Sequence, residues 1–142
     1  MSKTERVSIA IFAIWTLSVI AASITVAFGE AEPRPLRETD WSKRIAAEWR
    51  EAGIEAETEA RQPDGSRVDI LTATDAVEVE WCHGGKWKEA IGQAVLYGIQ
   101  TNRRPCVLLL IKGDEAERVE YLRCLAVCAK CDIKIATYKV TE

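Results

Sequence analysis

Residues 105–111 read PCVLLLI, an unbroken apolar run set between Arg103-Arg104 and Lys112-Gly113. Such a short, uninterrupted run is the mark of a central strand buried on both faces. A strand of that kind needs a covering layer on each side, so helices must flank the sheet that holds it. The rest of the chain supplies them. Asp40 is placed to cap a helix over 41–52, with Trp41, Ile45, Trp49 and Ala52 at helical spacing and Gly53 at its end. Residues 54–59 alternate weakly, as an edge strand does, and Gln62-Pro63-Asp64-Gly65 is a turn. Strands over 68–72 and 76–81 are joined through Ala73-Thr74-Asp75. Trp87, Ile91, Ala94, Val95 and Ile99 set a helix over 87–100, and Val119, Leu122, Leu125 and Ala126 set another over 114–130. A last strand covers 132–138. The order α-β-β-β-α-β-α-β predicts an α/β domain with a mixed sheet flanked by helices.

The chemistry concentrates between residues 64 and 98. Asp69 lies in the strand over 68–72, and Glu78 and Glu80 lie two residues apart in the next one. Alternate strand positions share a face, so Glu78 and Glu80 point one way while Val77, Val79 and Trp81 line the other. Two carboxylates on one strand face, with a third on the hairpin partner, build an oxygen-ligand site for a hard divalent cation. The competing reading is a solvated strand face, with Asp69 paired to Arg67. On the first helix Glu48 falls seven residues after Trp41, in the apolar stripe, where an acid is costly unless paired or metal-bound. A stripe-edge Glu reaching water or an Arg is the alternative. Gln93 and Tyr97 stand one helical turn apart and share a face able to reach a phosphate or base.

The pattern Asp69, Glu78-Val79-Glu80, Gln93-x-x-x-Tyr97 resembles the PD-(D/E)XK nuclease-like superfamily and its RecB-type Gln-x-x-x-Tyr branch. More narrowly, DGSRVDIL, AVEVEW and KWKEAIGQAVLYG are similar to a group of small, signal-bearing bacterial and phage proteins. The resemblance spans roughly residues 41–139. It implies a restriction-endonuclease-like αβββαβ core, here with an extra C-terminal α-β and an N-terminal apolar helix. It implies Mg2+ or Mn2+ held by Asp69 and Glu78, with Glu80 as a further ligand or base. The superfamily carries an acid on its first helix, which makes Glu48 the candidate for a fourth ligand. Glu80 occupies the motif position that is usually Lys. Some relatives move that Lys to the next helix, where this chain has Lys86 and Lys88. The expected catalytic set is therefore Asp69, Glu78, Glu80 and Lys86, and the expected substrate-binding set is Lys88, Gln93 and Tyr97.

Residues 7–29 contain no charged side chain, and Lys3 and Arg6 precede them. A helix of those 23 residues would be about 34 Å long, enough for a bilayer core of ~30 Å. Residues 1–29 thus read as a signal anchor or a cleaved signal peptide, and residues 30–40 as a Pro-containing linker to a domain over 41–142. Membrane attachment through residues 7–28, or export to the periplasm after cleavage, follows as an expectation. Of the chain's 19 basic and 22 acidic residues, positions 1–29 hold Lys3, Arg6 and Glu5. The remaining 17 basic and 21 acidic residues give positions 30–142 a formal charge of about −4. That is not the footprint of a tight nucleic-acid binder, though bound cations would offset local acids.

Five cysteines invite disulfides if the domain is exported, and Cys128-x-x-Cys131 could form a metal half-site. More often such cysteines are small core residues. His83 is the only histidine and sits in an HGG loop without an orienting partner, which disfavours a Ser or Cys hydrolase. Gly84-Gly85 is too short for a phosphate loop. Two functions remain: a metal-dependent nuclease-like enzyme acting on nucleic-acid phosphodiesters, or a catalytically inactive binding domain on the same fold.

Overall fold

The computed structural model describes residues 34–141. The expected membrane segment, residues 1–29 with the span 7–28, lies outside the described residues. Among the described residues no helix is long and apolar enough to cross a membrane. The elements are α1 (Glu38–Glu51), β1 (Ala56–Arg61), β2 (Arg67–Thr72), β3 (Asp75–Trp81), a 3-10 turn (His83–Gly85), α2 (Trp87–Thr101), β4 (Arg104–Ile111), α3 (Glu115–Lys130) and β5 (Lys134–Lys139). They form one five-stranded sheet in the order β1-β2-β3-β4-β5. β1, β2 and β3 pair antiparallel, while β3, β4 and β5 run parallel. This is the mixed sheet flanked by helices that the element order predicts.

The apolar run in β4 is buried on both faces, as expected. Cys106, Leu108 and Leu110 join Val77, Val79, Trp41 and Ile45 under α1. Val107 and Leu109 join Trp87, Ala94, Cys124 and Cys128 under α2 and α3. Four of the five cysteines, Cys82, Cys106, Cys124 and Cys128, are thus core side chains, and all five are free thiols. The inward faces of α2 and α3 differ from the periodicity reading. Ala90, Ala94, Tyr97 and Gly98 are buried on α2, while Val95 and Ile99 are exposed. On α3 the buried positions are Glu117, Cys124 and Cys128, and Val119 and Leu122 face out. Close packing selects small residues here. A Cβ on Gly98 would stand 3.0 Å from the Arg103 carbonyl oxygen and 3.1 Å from the Pro105 ring.

The first helix begins at Glu38, three residues before the expected start, so part of the 30–40 linker is helical. Asp40 is not the cap. It sits inside the first turn and accepts the Arg37 N–H at 3.0 Å, the return half of a capping box.

Asp75 does more than mark the turn before β3. It is buried, and it accepts bonds from Arg104 Nε at 2.7 Å and Lys134 Nζ at 2.8 Å, tying β3 to β4 and β5. Burial opposes its ionisation, but the Arg104 and Lys134 bonds outweigh this and hold the carboxyl below its usual range. Asp75→Ala should cost roughly 1–3 kcal/mol at pH 7, because both partners are partly solvated. A depressed folded-state pKa contributes stability above the unfolded value of about 4 and loses it as the pH falls further. Urea titrations should therefore show the gap narrowing below about pH 4.

Candidate metal site

The acids come together where β2 and β3 part. Their pairing covers only Ile70↔Val77 and Leu71↔Ala76. One step further the same register sets Asp69 across from Glu78, on a shared face. There Asp69 Oδ2 accepts the Val79 N–H at 2.9 Å. In the parallel pair, Glu78 and Glu80 lie beside Val107 and Leu109, so both acids point into the α2 layer. They are 7% and 8% exposed, which removes the solvated-face reading. On the other side of β2, register sets Glu59 across from Asp69, at the one position where the β1–β2 ladder is interrupted. Glu59 adopts a left-handed φ of 56°, and Arg67 takes its carboxylate at 2.8 Å. Like charges directly opposite repel, and the Glu59 charge helps push the Asp69 carboxyl up.

Burial and mutual repulsion push all three central acids up. Glu78 reaches about 9, from burial first and then the charges of Asp69, Glu80, Glu38 and Glu89. Its Oε2 is buried with no hydrogen-bond partner among the described residues. Asp69 reaches about 6 by burial, although the Val79 N–H opposes the rise. Glu80 reaches about 7 through burial and a hydrogen bond with Glu38, against the Trp81 N–H and Lys86.

Lys86 follows two glycines with φ of 71° and 70°, which bring the chain back over the sheet. Its ammonium lies 3.2 Å from Glu38 and 3.6 Å from Glu80. Tyr97 packs on Ala60, Val68 and Ala76. Its phenol is pushed up to about 12 by burial, then by the charges of Glu78 and Asp69, so it too faces the acids. Gln93 lies one turn before it, half-buried.

Two expected residues stand elsewhere. Glu48 is exposed, paired with Arg44 at 3.4 Å and bonded by the Tyr138 hydroxyl at 2.8 Å. At 100° per residue it falls about a quarter turn from the centre of the buried stripe of Trp41, Ser42, Ile45 and Ala46. Lys88 turns toward α3, with its ammonium 5.6 Å from the Trp87 ring centre and acting on Glu120. The helix acid that does reach the cluster is Glu38, in the stretch expected to be linker. Its signal was an acid one residue after Arg37, in the first turn that a helix dipole favours.

Among the described residues no three His, Cys, Asp or Glu side chains converge ready to hold a metal ion. The carboxylates have separate partners: Asp69 the Val79 N–H, and Glu80 the Lys86 ammonium and the Trp81 N–H at 2.8 Å. Glu78 keeps a bare buried oxygen, and hard oxygen donors in excess are the set a divalent cation takes. The donors therefore fit the ion. Comparison with protein-family models, curated proteins and solved structures returned no match.

Proposed function

We propose that this protein is a metal-dependent nuclease-like enzyme that hydrolyses nucleic-acid phosphodiesters with Asp69, Glu78, Glu80 and Lys86. The observation that carries the reading is Glu78: a buried, unpartnered carboxylate oxygen ringed by Asp69, Glu80 and Glu38, with a lysine at the rim. A restriction-endonuclease-like arrangement of the αβββαβ portion, α1 to β4, is part of the same proposal. Asp69 and Glu78 would be the ligands of Mg2+ or Mn2+, which when bound polarises a phosphate and acidifies a water. Glu80, with a pKa near 7, is tuned to take a proton close to neutral pH. Lys86 sets a positive charge beside Glu80, where it can offset charge developing on the phosphate. Tyr97 and Gln93 supply donors to the phosphate or base from α2. Attachment to a membrane through residues 7–28, or export, belongs to the proposal as well.

A second reading has its own support. Glu80 stands where most relatives of the resembled superfamily carry Lys, and among the described residues no three acids are grouped ready to hold an ion. An inactive binding domain on this fold would look the same.

Cleavage of labelled oligonucleotides by the full chain with Mg2+ or Mn2+ tests the choice, at low salt and high protein concentration because the domain is acidic. Lys86→Ala should lower kcat by about 10²-fold, whereas Lys88→Ala should change it by no more than about threefold. Equal effects would remove Lys86 from the catalytic set.

A further inference from the structure

The segment after Glu80 reads WCHGGKWK, residues 81–88, and the chemistry above uses only Lys86 from it. The Trp81 and His83 rings lie 5.5 Å apart between centroids, tilted by 44°. The Lys112 ammonium stands 5.8 Å from the centre of the Trp81 ring. His83 and Lys112 are exposed, and Trp81 is half-buried, with part of its ring packed on the inner cluster. Trp87 differs: it is buried, and its indole N–H is bound to Glu120 at 2.6 Å, so it anchors the loop. A Cβ on Gly84 would meet nothing within 4 Å, so the outer side of the loop is open. Trp81 and Lys112 stand at the carboxyl ends of the parallel strands β3 and β4, the edge at which α/β sheets bind ligands. The Trp81 N–H is bonded to the Glu80 carboxylate, so the rings begin one residue after the last acid, with the Trp81 side chain on the opposite face of β3.

An accessible aromatic pair with an ammonium over one ring matches a nucleobase and its phosphate: the rings stack the base, and the cation takes the charge. A duplex keeps its base faces inside its own stack, so such rings meet bases only in single strands and frayed ends. We infer that Trp81, His83 and Lys112 form a base-stacking platform at the carboxyl edge of β3 and β4, where the acid-bearing strand ends, and that the substrate is a single-stranded nucleic acid held without sequence readout. The inference rests on the nuclease reading and adds the substrate class to it.

The test is fluorescence anisotropy of the full chain with 12-nucleotide single strands of DNA and of RNA, and with the DNA duplex. Low salt is used, with Ca2+ in place of Mg2+. The expected result is single-strand binding at least about tenfold tighter than duplex binding. His83→Ala and Lys112→Ala should each weaken it about 5- to 50-fold, and His83→Trp should retain it. Lys112→Ala should also lower the salt slope by about one ion. Unchanged binding in both alanine variants, a preference for duplex, or no binding to any strand would overturn the platform. Cleavage by the same variants in Mg2+ separates the two proposals. Single-strand binding without cleavage retires the enzyme and leaves the platform. Cleavage with an unaltered KM in both alanine variants retires the platform and leaves the enzyme.

Discussion

At pH 8.5, Glu78→Gln should be more stable than the natural protein by roughly 2–4 kcal/mol, a rise in Tm of roughly 10–15 °C. The sign follows from proton linkage. Glu78 holds its proton up to about 9 in the folded chain, against 4.5 for an ordinary glutamate. Between those values the folded state binds more protons than the unfolded one, so stability is full at acidic pH and falls as the pH rises. Asp69, at about 6, and Glu80, at about 7, add to the same slope. Gln fills the same space, keeps a polar head and never ionises. The two proteins should therefore have nearly equal stability at pH 5 and diverge toward pH 9. Mn2+ should raise the Tm of the natural protein at pH 8.5 and leave that of Glu78→Gln nearly unmoved. Parallel melting curves across pH 5–9 would mean that the Glu78 carboxylate is solvated.

The same residue carries the second large effect. Asp69→Ala and Glu78→Ala should each lower metal-dependent cleavage by about 10³-fold, at the upper end of what removal of one transition-state stabiliser costs. Glu38→Ala should cost about tenfold, since Glu38 contacts Lys86 and bonds to Glu80 and reaches the phosphate only through them. Glu48→Ala should leave the rate within about twofold, because its carboxylate is engaged with Arg44 and Tyr138. Gel assays with the full chain at pH 8 would read all four. A Glu48→Ala loss equal to that of Asp69→Ala would mean that α1 contributes its acid from its far end.

The trade between these two effects is physical. The charge that is costly to form on Glu78 is the charge that would hold a cation, so the substitution that removes one removes the other. Functional sites commonly hold such costs.

What the chain discloses in advance tracks how local each constraint is. The β4 run needs no partner to be recognised, because two-sided burial leaves no polar position. The placing of Glu78 and Glu80 on one face of β3 follows from a period of two. Glu38 was hidden because Asp40 makes an equally good cap in sequence, and only backbone geometry shows it reaching back to Arg37. Glu48 misled because a seven-residue spacing returns to nearly the same helix face but not to its centre. On α2 and α3, larger apolar residues such as Ile99 and Leu122 drew the inward face toward themselves. The helices instead lie close enough to the sheet to seat Ala, Gly and Cys there.

The most direct measurement is a calorimetric titration of Mn2+ into the full chain at pH 6, 7 and 8, in two buffers of different ionisation enthalpy. The account predicts saturable binding, and proton release that is largest below the point where Glu78 and Glu80 ionise by themselves, because ligands must be deprotonated to bind. Both should be lost in Glu78→Gln. Absence of binding at all three pH values, or binding with no proton release and no change in Glu78→Gln, would contradict it.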